Sequence, residues 1–231
     1  MIKLIVFDLD STLAEIAKGI RPETLERLKT FENRGIQIAI CSGKPTFYLC
    51  GIMRQAELSN PILVGENGAV IQFGVDLPPV RYDVQPYSKE AKRTIRFLRE
   101  KIEEILPDMW FQPNEVVLTP FPAKKEEFDI INRCLEEYHD HVNDVLIYEH
   151  FDCFDIIPNG ITKKSGIERL AAMVGVLAEE VIAVGDGIND YPMFEFAGIS
   201  LGINVKDSGK VDKNFSSIME ALDYIEEIYD K

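Results

Sequence analysis

Residues 4–13 read Leu-Ile-Val-Phe-Asp-Leu-Asp-Ser-Thr-Leu, a short apolar run that leads directly into two aspartates. Successive apolar residues with β-branched members are typical of a strand buried on both faces, as in a parallel sheet covered by helices. Residues two apart along a strand point the same way, so we expect the carboxyl groups of Asp8 and Asp10 on one side of the chain. Ligands bind at the carboxyl ends of the strands in such sheets. This stretch therefore predicts a parallel sheet with a functional site at the end of its first strand.

Three more short apolar runs, at residues 36–41, 62–64 and 181–184, have the same character. Helical patterns separate the runs, at residues 21–33, 45–57 and 165–174. Pro22 suits the first turn of the first of these helices, and Gly35 suits its end. The alternation of strand and helix predicts an α/β fold with a three-layer core around a parallel sheet.

The middle of the chain has a different pattern. Two long amphipathic helices are predicted at residues 88–106 and 124–138, with strand-like runs at 116–119, 145–148 and 151–157. Turn-forming residues bracket this block, namely Pro78-Pro79 before it and Pro158-Asn159-Gly160 after it. We therefore expect a core made of residues 1–79 and 158–231, with a smaller α+β domain, residues 80–157, inserted in one of its connections.

A second acidic turn, Gly185-Asp186-Gly187-Ile188-Asn189-Asp190, also follows a predicted buried strand. Its carboxylates are expected at the same sheet edge as those of Asp8 and Asp10. Oxygen ligands without histidine or thiolate suit Mg²⁺. Either turn alone could simply cap the next helix, but two such turns after buried strands favour a shared magnesium site.

Two further segments could hold an anion. Ser42-Gly43-Lys44 follows a predicted strand and precedes a helix, and a hydroxyl with free backbone N–H groups there can bind a phosphate. The simpler interpretation of Ser42 is a helix N-cap. Lys163 begins a helix, where its charge opposes the helix dipole, so a carboxylate or anion partner is expected. The simpler interpretation is a solvated lysine.

Together these four segments resemble the signatures of the haloacid dehalogenase superfamily of hydrolases. The matching residues, in the order of the family, are Asp8-x-Asp10-x-Thr12, Ser42, Lys163, and Gly185-Asp186 with Asn189-Asp190. The resemblance extends to the Cof-type subgroup, which carries an α/β cap between the second and third signatures, and residues 65–69 look like that subgroup's loop before the cap. It implies a Rossmann-like core and a cap that selects the substrate.

The resemblance also implies a mechanism. Asp8 would be the nucleophile that forms an aspartyl-phosphate, and Asp10 would be the general acid and base. Mg²⁺ would be held by Asp8, by the backbone carbonyl of Asp10 and by Asp186.

Further roles carried over from the family concern the phosphoryl group. Ser42 and Lys163 would be catalytic residues that bind it, together with Gly43 and Asn189. Asp190 would support Lys163. One departure is Ser11, which stands where the family usually has glycine.

The functional prediction is a magnesium-dependent phosphomonoester hydrolase acting on a small phosphorylated metabolite, such as a sugar phosphate or phosphoglycolate. Asp10 favours phosphatase or phosphomutase over dehalogenase and ion-pump relatives, which lack that carboxylate. Two alternatives remain open. One is a phosphomutase on the same core, and the other is a non-catalytic binding module of the receiver type.

Composition limits the partners and the location. The formal net charge of −14 disfavours nucleic acid and anionic membranes. The four cysteines form no C-x-x-C pair and are expected as reduced thiols. The N-terminus lacks the features of a signal peptide, and no stretch is long and apolar enough for a membrane span. We expect a cytoplasmic monomer or homodimer.

Overall fold

A computed structural model of the chain describes residues 1–229. Of the core segment predicted at 158–231, residues 230 and 231 lie outside this described part. The strands are β1 (Leu4–Phe7), β2 (Gln37–Cys41), β3 (Ile62–Gly65), β4 (Val70–Phe73), β5 (Arg81–Val84), β6 (Trp110–Phe111), β7 (Pro120–Phe121), β8 (Val145–Glu149), β9 (Phe154–Pro158), β10 (Val181–Gly185), β11 (Ile199–Ile203) and β12 (Lys213–Phe215). The α-helices are α1 (Pro22–Asn33), α2 (Thr46–Ala56), α3 (Lys89–Ile105), α4 (Lys125–Glu137), α5 (Lys163–Val174), α6 (Tyr191–Phe196) and α7 (Ile218–Tyr229).

Eight strands form one sheet in the order β12-β11-β10-β1-β2-β3-β4-β5. The pairs from β12 to β3 are parallel, and β4 and β5 continue the sheet antiparallel. The four strands expected from apolar runs are the neighbours β10, β1, β2 and β3 at its centre. The predicted α/β fold class is confirmed, with a sheet that is mostly parallel.

Helices cover both faces of this sheet, and side chains alternate between the two sides along each strand. In β1, Ile5 and Phe7 pack into one buried cluster with residues of α1, α2 and α7. Leu4 and Val6 pack into a second cluster with residues of α5 and α6. All four side chains of β1 are fully buried, which explains why the strand has no polar position before Asp8.

The chain divides into two compact units, Met1–Val84 with the chain from Thr162 onward, and Gln85–Ile161. Strand β5, which the sequence pattern assigns to the insert, instead pairs with β4 in the large sheet, with Arg81 opposite Phe73. The reason is that a sheet-edge strand can carry polar residues, and Arg-Tyr-Asp-Val does not read as a buried run.

The second unit, Gln85–Ile161, contains α3, α4 and the two-stranded sheets β6-β7 and β8-β9. Both helices were predicted, and Ser88 caps α3 by accepting a hydrogen bond from the Ala91 N–H. Their apolar faces share a buried cluster with Leu118, Phe154 and Ile156. The strand predicted at 116–119 is wrong, because Leu118 makes only an isolated bridge to Ile156 and ladder pairing begins at Pro120.

Within residues 1–229, none of the helices combines the length and the apolar character that a membrane span requires.

Candidate active site

Asp8 lies at the carboxyl edge of the large sheet, directly after β1. Strand β1 runs between β2 and β10, and the Asp8 N–H continues the ladder by donating to the Val184 carbonyl at 2.9 Å. Only 6% of Asp8 is exposed. The buried strand therefore places this carboxyl group at the sheet edge, beside the carboxyl ends of β2 and β10.

Lys163 is the first residue of α5, and the cap of this helix fixes its direction. Thr162 accepts a hydrogen bond from the Ser165 N–H at 3.1 Å, while its own N–H donates to the Ser165 hydroxyl at 3.0 Å. The Lys163 Nζ then lies 2.6 Å from Asp8 Oδ1 and 2.5 Å from Asp190 Oδ1. The structure thus gives Lys163 two carboxylate partners, and only 1% of the residue is exposed.

Asp190 organises the second acidic turn from inside. It is fully buried, and its Oδ2 accepts hydrogen bonds from the N–H groups of Asp186 and Gly187, both at 2.9 Å. A Cβ on Gly185 would lie 2.5 Å from the same oxygen, so this position requires glycine. The Asp190 carboxylate therefore accepts hydrogen bonds from both the backbone of the turn and the Lys163 side chain.

Asp186 lies near Asp8, although 178 residues separate them in the sequence. Asp8, Asp186 and Asp190 each offer a carboxylate oxygen, and these oxygens lie within 4.8 Å of one another. The Thr12 hydroxyl donates to Asp186 Oδ1 at 3.2 Å. The two acidic turns therefore converge, as the sequence predicts, and Thr12 links them.

The electrostatics of this cluster are unbalanced. Burial raises the pKa of Asp8 to about 8; the charge of Lys163 opposes the rise, and that of Asp190 adds to it. Burial, with the charge of Asp190, also raises the pKa of Asp186 to about 6. Three carboxyl groups face one ammonium group, so full ionisation leaves two negative charges in excess. A cation at this point would lower both carboxyl pKa values.

Lys163 stays charged despite its burial. Burial alone would lower the pKa of its ammonium group, but the charges of Asp190 and Asp8 outweigh it and hold the pKa above the usual lysine range. The neighbouring Cys41 at the end of β2 is uncharged instead, because burial raises the pKa of its thiol to about 12. Cys41 is therefore a neutral thiol rather than a nucleophile.

The residues present fit a magnesium ion. The candidate ligands are carboxylate oxygens alone, as Mg²⁺ prefers, and the excess negative charge gives a cation a reason to bind. Asp8 and Asp186 could hold the ion, because both oxygens of Asp190 already accept hydrogen bonds from Lys163 or from backbone N–H groups.

Asp10 lies in the tight turn after β1 and is partly buried. The turn is closed by a hydrogen bond from the Ser11 N–H to the Ala14 carbonyl at 2.7 Å, and Asp10 forms a bridge with Ala14. Ser11 has a φ of +64°, in the left-handed region that favours glycine. The glycine that the family resemblance implies at this position would adopt this conformation without strain.

Ser42 follows β2 and is buried. Its hydroxyl accepts a hydrogen bond from the Lys44 N–H at 3.2 Å, and Gly43 between them is half-buried. Ser42 is not the N-cap of α2, because that position is taken by Pro45. The simpler interpretation of Ser42 is therefore wrong.

Asn189 is the one predicted site residue whose side chain is exposed. It lies in a single 3₁₀ turn, Ile188–Asp190, and its Oδ1 lies close to Gly187. The structure does not bring it into the hydrogen-bonded cluster of Lys163 and the aspartates.

Sequence reasoning misses two features of the site. The motif Asp8-x-Asp10-x-Thr12 assigns no role to Thr12, although a hydroxyl residue in an acidic turn is a signal for one. The turn Glu66–Gly68 reads only as a loop, and its packing between the Ser42 loop and α5 has no sequence signal.

Comparison with known proteins identifies the family of the chain. Residues 5–106 and 80–208 match the model of a family described as haloacid dehalogenase-like hydrolase. The 5-amino-6-(5-phospho-D-ribitylamino)uracil phosphatase YitU of Bacillus subtilis is 25% identical over 232 residues, covering 87% of this chain and 86% of that protein. A phosphoglycolate phosphatase of Methanococcoides burtonii is 24% identical over 211 residues, covering 91% of this chain and 87% of that protein.

The fold is shared with solved structures. The crystal structure of TM0651 from Thermotoga maritima superposes with a TM-score of 0.76 at 16% identity and covers 97% of each chain. The family match, which spans most of the chain, and the phosphatase relatives support phosphatase activity. The chain belongs to the haloacid dehalogenase-like hydrolase family.

Proposed function

We propose that this hydrolase is a magnesium-dependent phosphatase that removes phosphate from a small phosphorylated metabolite through an aspartyl-phosphate on Asp8. The observation that carries the proposal is the buried cluster in which Lys163 holds Asp8 and Asp190 while Asp186 lies beside them. Such a cluster fits a site that must bring a carboxylate and a phosphate together, since both are negative.

Asp8 and Asp186, with the backbone carbonyl of Asp10, are the proposed ligands of Mg²⁺. When bound, the ion would supply positive charge that offsets the repulsion between the Asp8 carboxylate and the phosphoryl oxygens. Nucleophilic attack, proton transfer and phosphoryl binding would be carried out by groups of the protein itself.

Asp8 is the proposed nucleophile. One of its oxygens accepts from Lys163 at 2.6 Å, which orients the group and favours its ionised form. The other oxygen would attack phosphorus, forming the acyl phosphate bond as the bond from phosphorus to the ester oxygen breaks. The leaving group departs as an alkoxide that needs a proton.

Asp10 would give that proton to the alkoxide. It would then take a proton from water, which attacks phosphorus, releases inorganic phosphate and restores the Asp8 carboxylate. Its place in the turn after β1, two residues beyond the nucleophile, suits both tasks.

The transferring phosphoryl group would be bound by Lys163, by the Ser42 hydroxyl and by the Gly43 N–H, with Asn189 at the exposed side. These donors would stabilise the charge that spreads over the phosphoryl oxygens in the transition state. Asp190 would keep Lys163 in position through their contact at 2.5 Å.

The substrate class is proposed from two lines of support. The relatives named above are phosphatases of small phosphorylated compounds. The inserted domain, predicted at 80–157 and compact as Gln85–Ile161, is proposed as a cap that selects the leaving group.

The experiment is a phosphate-release screen over phosphorylated metabolites, with and without Mg²⁺, on the wild type and on Asp8→Asn and Asp10→Asn. We expect turnover that needs Mg²⁺ and is abolished in Asp8→Asn. Isomer interconversion with little free phosphate would instead indicate a phosphomutase. Failure on every compound, or full activity in Asp8→Asn, would contradict the proposal.

A further inference from the structure

Three successive residues between β3 and β4 have left-handed backbone conformations. The φ angles are +53° at Glu66, +55° at Asn67 and +102° at Gly68. Non-glycine residues rarely adopt this region, and runs of it are rarer still. Such strain persists only where the surroundings impose it, and it is concentrated at functional sites.

On one side this turn, Glu66–Gly68, is tied to the loop that carries Ser42. The Asn67 N–H donates to the Ser42 carbonyl at 3.0 Å, and the Glu66 N–H donates to the Lys44 carbonyl, also at 3.0 Å. The preceding Gly65 packs against the same loop, because a Cβ there would lie 2.9 Å from the Lys44 carbonyl oxygen. The turn therefore fixes both ends of the Ser42–Lys44 segment.

On its other side the turn packs against the start of α5, the helix that begins with Lys163. A Cβ on Gly68 would lie 2.2 Å from the Thr162 carbonyl oxygen, and a Cβ on Gly166 would lie 2.5 Å from the Gly68 Cα. Arg169, also on α5, donates from Nη1 to the Gly68 carbonyl at 3.0 Å. Backbone thus meets backbone with no room for a side chain.

We propose that the turn Glu66–Gly68 is a positioning element that sets the distance between Ser42 and Lys163, the two phosphoryl-binding side chains, and that Gly68 is the residue on which this spacing depends. The inference rests on the proposed function, since it assigns the spacing to phosphoryl binding. Ser42 and Lys163 come from different parts of the sequence, and this turn contacts the backbone next to both. A shift of about 1 Å in such groups can lower the rate about 100-fold.

The test compares Gly68→Ala with Gly74→Ala. Both glycines have positive φ, +102° and +75°, so both variants strain the backbone, but a Cβ on Gly74 would meet no atom within 4 Å. We expect Gly68→Ala to lower kcat about 100-fold and to weaken binding of orthovanadate, measured by competitive inhibition. Gly74→Ala should lose thermal stability while keeping wild-type kcat and vanadate affinity.

A second variant tests the same contact if Gly68→Ala does not fold. Gly166→Ala adds a Cβ from the α5 side without placing a residue at positive φ, and it should lower kcat and vanadate affinity in the same way. Wild-type kcat and vanadate affinity in folded Gly68→Ala or Gly166→Ala would overturn the inference alone. A wild-type protein that releases no phosphate would overturn the proposed function and the inference with it.

Discussion

Within residues 1–229, two of the clusters that place one cation beside two carboxylates differ in burial, since one is buried and the other lies at the surface. In the site, Lys163 lies between Asp8 at 2.6 Å and Asp190 at 2.5 Å. At the surface, Arg27 of α1 lies 2.6 Å from Asp223 and 3.0 Å from Glu226, both on α7. The Lys163 side chain is 1% exposed, whereas that of Arg27 is 26% exposed and that of Asp223 is 63% exposed.

Ion-pair distances of 2.5–3.0 Å in both clusters therefore do not imply equal effects on stability. Water and salt screen the surface arrangement, and exposed ion pairs contribute about 0–1 kcal/mol. In the buried arrangement each charge depends on its partners, and removing one costs about 3–5 kcal/mol. We therefore expect a charge change in the buried cluster, but not in the surface cluster, to affect both stability and activity.

The largest effect is expected from Lys163→Met, which leaves Asp8 and Asp190 without their cation. Activity should fall at least about 1,000-fold, because the variant lacks the charged group that is proposed to donate hydrogen bonds to the phosphoryl oxygens. The free energy of unfolding should fall by about 3–5 kcal/mol. Steady-state phosphate release and urea unfolding measure the two effects.

Lys164→Met is the matched control for that variant. The Lys164 side chain is 37% exposed and lies 3.5 Å from Glu195. Its removal should change the free energy of unfolding by less than about 1 kcal/mol and leave kcat unaltered. Equal losses of unfolding free energy and of kcat in Lys163→Met and Lys164→Met would contradict the expectation that burial decides the effect of a charge.

The next effect is on the pH dependence of magnesium binding. Burial raises the pKa of Asp8 to about 8 and that of Asp186 to about 6. Both carboxyl groups must lose their protons before they can bind a metal. The Mg²⁺ affinity should therefore rise at least about tenfold between about pH 6 and pH 9, measured by calorimetric titration.

The same raised pKa values set the stability of the metal-free protein. A carboxyl group whose pKa is raised on folding stabilises the native state below its unfolded pKa, and this stability is lost as the pH rises through about 6 and about 8. The melting temperature without metal should fall over this range, and Mg²⁺ should restore it. A melting temperature that rises with pH in chelator would contradict the electrostatic account.

A smaller effect is expected from Thr12→Val, which removes the hydroxyl that donates to Asp186. Partners that orient a metal ligand are worth about 10–100-fold in metal affinity, so Mg²⁺ should bind about tenfold more weakly. The control is Thr30→Val. The Thr30 hydroxyl donates to the Glu26 carbonyl of its own helix at 2.9 Å, so this variant should bind Mg²⁺ as the wild type does.

The smallest effect is expected from Arg27→Met in the surface arrangement. The free energy of unfolding should fall by about 1 kcal/mol or less, and less at high salt. Phosphate release should be unchanged. A loss as large as that of Lys163→Met would show that exposure does not decide the strength of these clusters.

The central fold and cluster were open to sequence reasoning, because β1, β2, β3 and β10 are buried on both faces and read as apolar runs. Asp8 and Asp186 follow such strands, so parallel pairing alone predicts that they meet. Strands such as β5 and β12 escaped detection because edge strands are partly exposed and carry polar residues.

Other features depend on packing between distant segments. Gly68 reads as an ordinary turn glycine, and only the approach of Thr162 reveals why no side chain fits there. The exposure of Asn189 likewise follows from how its short turn folds. Patterns in sequence report burial and local conformation, and they do not report such contacts.

Trapping the intermediate tests directly whether Asp8 carries the phosphoryl group. The enzyme would be quenched during turnover and treated with borohydride, which reduces an acyl phosphate, and the tryptic peptide of residues 4–18 would be sequenced by mass spectrometry. We expect a reduced residue at position 8, with Asp10 unmodified and no signal in Asp8→Asn. Reduction at another residue, or an unmodified peptide from an enzyme captured in steady-state turnover, would contradict this expectation.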